Sequence, residues 1–325
     1  MNATPSGPFR VRTSRQRDEE TGALVRRLDL PSGVTEWDLR SKRYRRLFHG
    51  VFVSRRVTLT EAILAQGALL LVDPRSVASH HSAARILGGV VPDDGLVHIS
   101  CVGRRPQVRG LKSHRITAGG QKYTTVHGVR VTNPAQTFLD LTSVLGLVDL
   151  VVLGDSLVKA ERITPDELVA AAKAFRGRHR ALARRAAGLI RCDVDSPMES
   201  RLRMLIILAG LPEPVVNHKI LWHDGSVRWR FDLSYPEFLI VIEYDGRQHA
   251  ESDAQWDRDR GRREWLDGKG WRLVVAVAKD VYRTPALTLS RIIVVMRAKG
   301  MPVPRLSEEW RQHFPSMPED VAEPA

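Results

Sequence analysis

The sequence predicts a chain of mixed structure (α+β or α/β), organised as two regions. Hydrophobic residues make up 43% of its 325 residues, which is enough for two domains with buried cores. In the C-terminal half, segments with helical periodicity alternate with short apolar segments that are typical of strands. In the N-terminal half, most of the periodic segments are amphipathic helices, and the strand candidates are short.

The N-terminal region is predicted to be mostly helical, with a small α/β part. Residues 1–27 are polar and basic without a period, so they are predicted to be poorly ordered, and the region itself covers residues 28–190. Gly88 and the capping box of Thr164 and Glu167, with Pro165 at the first helical position, mark helix ends. The predicted helices are 34–47, 59–72, 76–88, one from Asn133, 147–162, 164–175 and 176–190, and the predicted strands are 48–54, 96–103 and 126–132.

The C-terminal region, residues 191–300, is predicted to be a mixed sheet flanked by helices. Ser196 and Thr284 each precede a proline at the first position of a helix, and Asp224-Gly225 marks the turn of a hairpin. The predicted elements are helices 196–211, 254–270 and 284–300, a hairpin over 219–234, and strands 238–245 and 271–278. The proline-rich tail, 301–325, is predicted to be irregular.

The net charge of +13 favours a polyanionic partner, because lysine and arginine gain affinity by releasing counterions from phosphates. Nucleic acid is the first expectation and an anionic membrane surface the weaker one. An arginine-rich composition inherited from a GC-rich genome is the alternative explanation. Two distant cysteines, Cys101 and Cys192, favour a reducing cytoplasm, and no apolar run is long enough to predict a membrane span.

Three acids surround the most apolar predicted strand. Glu243 and Asp245 end that strand on one face, because alternate side chains share a face, and Asp232 lies on the preceding strand. Carboxylates gathered at one place repel each other unless a cation neutralises them, and hard oxygen ligands suit Mg²⁺ or Mn²⁺. The alternative is that these acids are solvent-facing residues at a strand end.

The register of the two strands decides whether the acids meet. A tight turn would set Asp232 opposite Leu239 or Ile240, which leaves a gap to Glu243 of roughly 10–16 Å at about 3.3 Å per residue. A longer turn, a bend or a bulge must close this gap, and Pro236 favours the longer turn.

Residues 196–293 resemble the very-short-patch-repair endonuclease family, within the restriction-endonuclease-like PD-(D/E)xK group. The resemblance is carried by SPMESRLR, by FDLSYPEFLIVIEYDGRQH and by DRDRGRREWLDGKGWRLVVAV. It implies a restriction-endonuclease-like fold built on a mixed sheet. It also implies an enzyme that hydrolyses DNA phosphodiester bonds with Mg²⁺ or Mn²⁺ and needs no small-molecule cofactor. In the implied catalytic set, Asp232 is the principal metal ligand, Glu243 and Asp245 form the second acidic motif, Glu199 is the acid of the first helix and His249 transfers protons. Tyr244 is implied to offer its backbone carbonyl to the metal.

Three of these positions have other interpretations. The lysine that the group has two residues after the second acid is replaced by Asp245, and Arg247 or His249 is the substitute that the sequence offers. Glu199 also completes a capping box with Ser196, so capping alone explains it. His249 is either a loop residue or a base whose pKa nearby carboxylates would raise.

Basic segments extend the expectation of nucleic-acid binding. The candidate phosphate contacts are Arg43, Arg45, Arg46, Arg178, Arg180, Arg184, Arg185, Arg258 and Arg260. The alternative for the last two is a solvated helix face, since acids alternate with them. Adjacent His80 and His81 face different sides of a helix and are interpreted as cap and packing residues, and Cys101 is interpreted as a buried thiol.

Three pieces between residues 35 and 165, YRRLFHGVFVS, ASHHSAARILG and VHGVRVTNPAQTFLDL, resemble the AbiEi-type antitoxin module of actinobacterial proteins. The resemblance implies a winged-helix-like unit that binds DNA, with a cognate toxin as a further partner. Two hypotheses result: a metal-dependent endonuclease, or a non-catalytic DNA-binding regulator or antitoxin-type protein with a degenerate nuclease fold. An RNA-processing factor also fits the charge.

Overall fold

A computed structural model describes residues 24–116, 122–246 and 253–315, with the backbone alone for residues 253–259. The chain divides into two compact units, one formed by the residues up to Ile86 with Asp93–Thr137, the other by Leu87–Pro92 and the residues from Phe138 onward. The predicted mixed class, α+β or α/β, is confirmed. The boundary expected near residue 190 falls inside the second unit. No helix among the described residues is both long and apolar enough to cross a membrane.

The first unit contains two sheets. Its strands are β1 (Leu24–Arg26), β2 (Tyr44–Phe48), β3 (Val51–Ser54), β4 (Val77–Ala78), β5 (Val97–Cys101), β6 (Leu111–Arg115), β7 (Tyr123–Val126) and β8 (Val129–Thr132). Its helices are α1 (Glu36–Arg40), α2 (Glu61–Leu69) and α3 (His80–Ile86), and α4 (Pro134–Leu141) spans the division between the units. The sheets have the orders β1-β3-β2 and β6-β5-β4-β8-β7.

Several N-terminal predictions are wrong in the first unit. The expected helix 34–47 is the short helix α1 followed by strand β2, which pairs with β3 and has an irregularity between Arg46 and Phe48. Leu24–Arg26, expected to be poorly ordered, pairs with β3. The described residues between 24 and 132 therefore contain eight strands, so this part is not mostly helical as predicted, and the predicted helices from 147 to 190 belong to the second unit.

The second unit has a four-stranded mixed sheet with helices around it. Its helices are α5 (Leu147–Lys159), α6 (Pro165–Ala174), α7 (Arg180–Leu189), α8 (Pro197–Leu208), α9 (Asp253–Gly268), α10 (Ala278–Tyr282) and α11 (Pro285–Ala298). Its strands are β9 (Val215–Leu221), β10 (Val227–Tyr235), β11 (Ile240–Tyr244) and β12 (Arg272–Ala276), in the order β12-β11-β10-β9. β11 and β12 are parallel and the other pairs are antiparallel, so the predicted mixed sheet is confirmed.

A buried ion pair explains why α5 belongs with the C-terminal elements. Asp155 of α5 accepts hydrogen bonds from Arg203 and Ser200 of α8 at 2.8 and 2.7 Å, and from the N–H of Arg191 at 2.8 Å. Arg203 is fully buried and also donates to the carbonyl of Leu189 at 2.8 Å. The buried ion pair between Asp155 and Arg203 thus connects helices α5 and α8, which lie on opposite sides of residue 190 in the sequence.

The tail is partly structured. A 3₁₀ turn, Glu309–Gln312, buries Trp310, and Phe314 behind it is also buried. The Ser307 N–H donates to the carbonyl of Ala209 at 2.9 Å. Gly210 at that contact has a φ of +81°, and a Cβ there would lie 3.1 Å from the Arg305 carbonyl, so both its conformation and the close approach favour glycine. Within the described part of the tail, residues 301–315, the 3₁₀ turn is the exception to the irregular structure that was predicted.

Candidate functional site

The connection between β10 and β11 settles the register. Tyr235 lies opposite Ile240, and the 3₁₀ turn Pro236–Phe238 joins the strands with Leu239 in the left-handed conformation at φ +56°. This is the longer turn that Pro236 favoured. It closes the offset that a tight turn would leave between Asp232 and the end of β11.

Asp232 lies between the two strands rather than in solvent. Its Oδ2 accepts the backbone N–H of Tyr244 at 3.0 Å, so the carboxylate satisfies a donor just past the end of the β10–β11 ladder. Burial raises the pKa of Asp232, while the Tyr244 N–H and the charges of Arg262 and Arg230 act in the opposite direction. The Tyr244 N–H therefore fixes the position of the Asp232 carboxylate, although the two arginines compensate its negative charge only in part.

Glu199 brings a second carboxylate to the same place. It lies in the first turn of α8, where the Ser196 hydroxyl accepts its N–H at 3.2 Å. Its side chain accepts the N–H of Asp195 at 3.0 Å, one residue before the cap. Burial and then the negative charge of Asp232 raise the pKa of Glu199. Capping thus explains why the backbone of Glu199 lies in the first turn of α8. Capping does not explain why its carboxylate lies where the negative charge of Asp232 repels it.

A cavity of about 200 Å³ opens beside Asp232. Glu243, Tyr244 and Asp245 of the strand end line it, together with Arg262 and Arg263 of α9. Arg262 pairs with Glu243 and also donates to the carbonyl of Arg230 at 2.9 Å. The cavity therefore combines acids with two guanidinium groups, the composition expected of a site for a phosphate and a cation.

The three acids of the sequence prediction do not form a compact ligand set. Within the described ranges, the group of three or more metal-binding side chains whose ligand atoms converge within 4.8 Å is a histidine and aspartate cluster in the first unit, and not Asp232, Glu243 and Asp245. The ion pair between Glu243 and Arg262 gives a physical reason, since the guanidinium occupies the place of a cation beside that carboxylate. Coordination by Glu243 would require this pair to open.

The sequence prediction missed several charged residues at this site. Asp195 raises the pKa of both Asp232 and Glu199, and its own carboxylate pairs with Arg230 at 2.6 Å and with Lys159 at 3.5 Å. Arg262 lies on the charged helix that the sequence offers as either a phosphate-contacting or a solvated face, but its ion pair with Glu243 was not predicted. Asp195 had no local signal, because its role depends on contacts with strand β10.

Some predicted residues lie outside the described part or in other surroundings. His249 and Arg247 fall within residues 247–252, and the side chain of Arg258 is also undescribed. Arg260 is exposed near Glu264. Tyr244 contributes its N–H to Asp232 and lines the cavity, and its predicted carbonyl contact to a metal stays a prediction.

The predicted phosphate-binding arginines are divided between the two units. In the first unit Arg43 pairs with Asp38 at 2.8 Å and Arg45 donates to the carbonyl of Val57, so both are engaged, whereas Arg46 is exposed. In the second unit Arg178, Arg180 and Arg184 are exposed, and Arg185 pairs with Glu309 at 2.8 Å. Nucleic-acid binding by these residues stays a prediction.

The β9–β10 hairpin carries an aromatic and cationic cluster that the sequence prediction did not include. The guanidinium of Arg228 lies 4.1 Å from the ring centroid of Trp222 and 5.3 Å from that of Trp265. Trp222 is 49% exposed. Exposed indole faces beside arginine are typical of surfaces on which unpaired bases stack.

Comparison with known proteins found two relatives from Mycobacterium tuberculosis, uncharacterized protein MT2308 of strain CDC 1551 / Oshkosh and uncharacterized protein Rv2248 of strain ATCC 25618 / H37Rv. Each is 28% identical to this chain over 251 residues, which cover 76% of this chain and 90% of the relative. No family model matches the chain.

Proposed function

We propose that the protein is a cytoplasmic DNA-associated protein whose second unit hydrolyses phosphodiester bonds with a divalent cation. The observation that carries the proposal is the position of Asp232, held by the Tyr244 N–H at 3.0 Å in the wall of the cavity, with the carboxylate of Glu199 near enough to be repelled by it. A cation would relieve the repulsion between them, and it would lie beside a cavity that contains Arg262 and Arg263.

The donor set fits a hard cation, since Asp232 and Glu199 supply carboxylate oxygens. When bound there, Mg²⁺ or Mn²⁺ would supply an activated water and charge stabilisation for a phosphate. Arg263 is exposed and available to bind a phosphate oxygen. Arg262 would release Glu243 and bind the same phosphate instead. Asp245 fills the expected lysine position, so in this proposal the cationic role passes to these two arginines, with His249 kept as the candidate for proton transfer.

A nicking experiment tests the proposal. We expect the full chain with Mg²⁺ or Mn²⁺ to cut supercoiled DNA, chelation to stop the reaction, and Asp232→Asn to lower the rate by about a hundredfold or more, since one key polar group is worth 10²–10³ in such reactions. Glu237→Gln is the matched control, because it removes an exposed acid in the adjacent turn. Equal cutting by Asp232→Asn and wild type, or none by either, would refute the catalytic proposal.

The alternative function is a non-catalytic DNA-binding regulator or antitoxin-type protein with a toxin as partner. The ion pair between Glu243 and Arg262 favours it, because an arginine bound to the second acidic motif keeps that acid from a metal. Salt-sensitive DNA binding without metal-dependent cutting would support this alternative.

The hairpin cluster gives a separate prediction for binding. Trp222→Ala is expected to weaken binding to single-stranded DNA by about 1–3 kcal/mol, the contribution of one stacked base, with a smaller effect on duplex DNA. Fluorescence anisotropy with labelled oligonucleotides at fixed salt measures this change. Trp37→Ala, which removes a 75% exposed tryptophan of the first unit, should leave the affinity unchanged. Equal losses in both variants would contradict a stacking role for Trp222.

A further inference from the structure

A cluster of four histidines lies in the first unit, far in sequence from the acids of the proposed nuclease site. His80 and His81 begin helix α3, His98 lies on β5 and His114 on the parallel neighbour β6. Asp94 precedes β5. His81 and His98 are almost fully buried, which is unusual for polar side chains and calls for a specific partner for each ring nitrogen.

His98 is held at both ring nitrogens. Its Nε2 lies 2.7 Å from Oδ2 of Asp94, and its Nδ1 lies 3.0 Å from Nε2 of His114. His114 in turn stacks on His80, with ring centroids 3.5 Å apart. The His98 backbone is fixed as well, since its N–H donates to the Ser82 hydroxyl at 2.9 Å. The orientation of His98 is therefore set by the fold.

His81 differs from His98 because its Nδ1 is buried and forms no hydrogen bond in the structure. This nitrogen is 3.9 Å from Oδ2 of Asp94, too far for a hydrogen bond. An unsatisfied buried polar atom costs about 1–3 kcal/mol. A bound metal ion would satisfy this atom.

We propose that His81, Asp94 and His98 form a binding site for a transition-metal ion of the Zn²⁺ class, with His114 as the residue that orients His98. The three ligand atoms lie within 4.8 Å of one another. Two imidazoles and one carboxylate, with a fourth position left for water, are a known zinc set, whereas Mg²⁺ prefers oxygen ligands.

The two distances from the Asp94 oxygen to the histidines require only a small adjustment. Bonds of about 2.0–2.1 Å in tetrahedral geometry place ligand atoms about 3.3 Å apart. The distance from Asp94 Oδ2 to His98 must therefore lengthen by about 0.6 Å, and the distance to His81 must shorten by about 0.6 Å. Both distances share the Asp94 oxygen, so one shift of this partly exposed carboxylate from His98 towards His81 achieves both.

Arg85 is the nearby cation that could oppose a metal ion. Its guanidinium lies 4.0 Å from Oδ1 of Asp94, but it pairs more closely with Asp93 at 2.8 Å and with Glu61 at 3.4 Å. Its charge is therefore largely neutralised by other acids. Oδ2 of Asp94, the oxygen that faces the histidines, is left for the metal.

This assignment revises the interpretation of the histidine pair in the sequence. His80 packs against His114 and its Nδ1 lies 3.0 Å from the Ser79 hydroxyl, so it remains a packing residue. His81, interpreted in the same way from the sequence, becomes a ligand. The missing signal was non-local, since β5 supplies His98 and β6 supplies the residue that orients it.

Zinc titration of the full chain, purified without a histidine tag and stripped with a chelator, tests the proposal. Competition with a chromophoric chelator should detect about one tight Zn²⁺ per chain, and Co²⁺ should give the visible absorption of a tetrahedral site. His81→Gln and Asp94→Asn should each weaken Zn²⁺ binding at least about tenfold. Asp73→Asn, which removes an acid of the same unit that pairs with Arg75, should leave the affinity unchanged.

The choice of variants keeps the test independent of folding. His81 Nδ1 has no partner to lose, and asparagine at position 94 can still accept from His98, so both variants should keep the circular dichroism spectrum of the wild type. Loss of zinc binding with that spectrum retained supports the site. Unchanged binding in both variants, or a folded wild type without tight Zn²⁺ binding, overturns it and leaves a hydrogen-bonded histidine cluster.

Discussion

Replacing Arg203 with alanine is expected to lower the free energy of unfolding by about 3–5 kcal/mol, the usual cost of breaking a buried ion pair from one side. The variant would leave the buried Asp155 without the guanidinium that lies 2.8 Å from it, and would remove a donor from the carbonyl of Leu189. Urea unfolding followed by circular dichroism measures the loss.

Arg201→Ala is the matched control for this prediction. Arg201 lies two residues away on the same helix and pairs with Asp149, but both side chains keep some contact with solvent. We expect a loss of about 1 kcal/mol or less there. The double variant Arg203→Met with Asp155→Leu should recover part of the loss, because it removes both charges together but leaves the Ser200 hydroxyl and the Arg191 N–H without their acceptor. Similar losses in Arg201→Ala and Arg203→Ala would contradict the special role of the buried pair.

The second large effect is a stabilisation. The pKa values of Asp232 and Glu199 are raised in the folded protein, so it binds more protons than the unfolded chain between the ordinary carboxyl pKa and the raised values. Stability therefore falls as the pH rises through this window. Asp232→Asn removes one of the two charges, and we expect it to unfold at a higher temperature than wild type at neutral pH.

Thermal unfolding over a range of pH tests this effect. The difference between Asp232→Asn and wild type should disappear below about pH 3, where both carboxyls are protonated in the folded and the unfolded state. Mg²⁺ or Mn²⁺ should raise the melting temperature of the wild type at neutral pH and have little effect on the variant. A variant less stable than wild type at neutral pH would show that the carboxylates are not repelling each other.

Local rules predicted the parts of the fold that are decided within one element. The caps at Thr164 and Ser196 and the apolar core of β11 follow from side chains within a few residues, and the structure has a helix or strand at each place. The prediction of helix 34–47 was wrong because Tyr44 and Phe48 have a spacing of four that also fits a helix face, whereas the strand is set by its pairing with β3.

The candidate site was predicted only in part, for a related reason. The sequence places Asp232 and Glu243 near a turn, but not the arginine of α9 that pairs with Glu243, because that contact joins residues 19 positions apart. The boundary near residue 190 was misplaced for the same reason, since no local pattern shows that Asp155 and Arg203 will meet inside the protein.

The short turn at Glu309–Gln312 has a practical consequence for dissecting the molecule. A fragment that ended at Gly300 would keep every strand of the four-stranded sheet in the second unit. It would lose the buried side chains of Trp310 and Phe314, and Arg185 would lose its ion pair with Glu309. Such a fragment would expose apolar surface and tend to self-associate. A soluble minimal fragment should therefore begin before α5 and extend to Pro315.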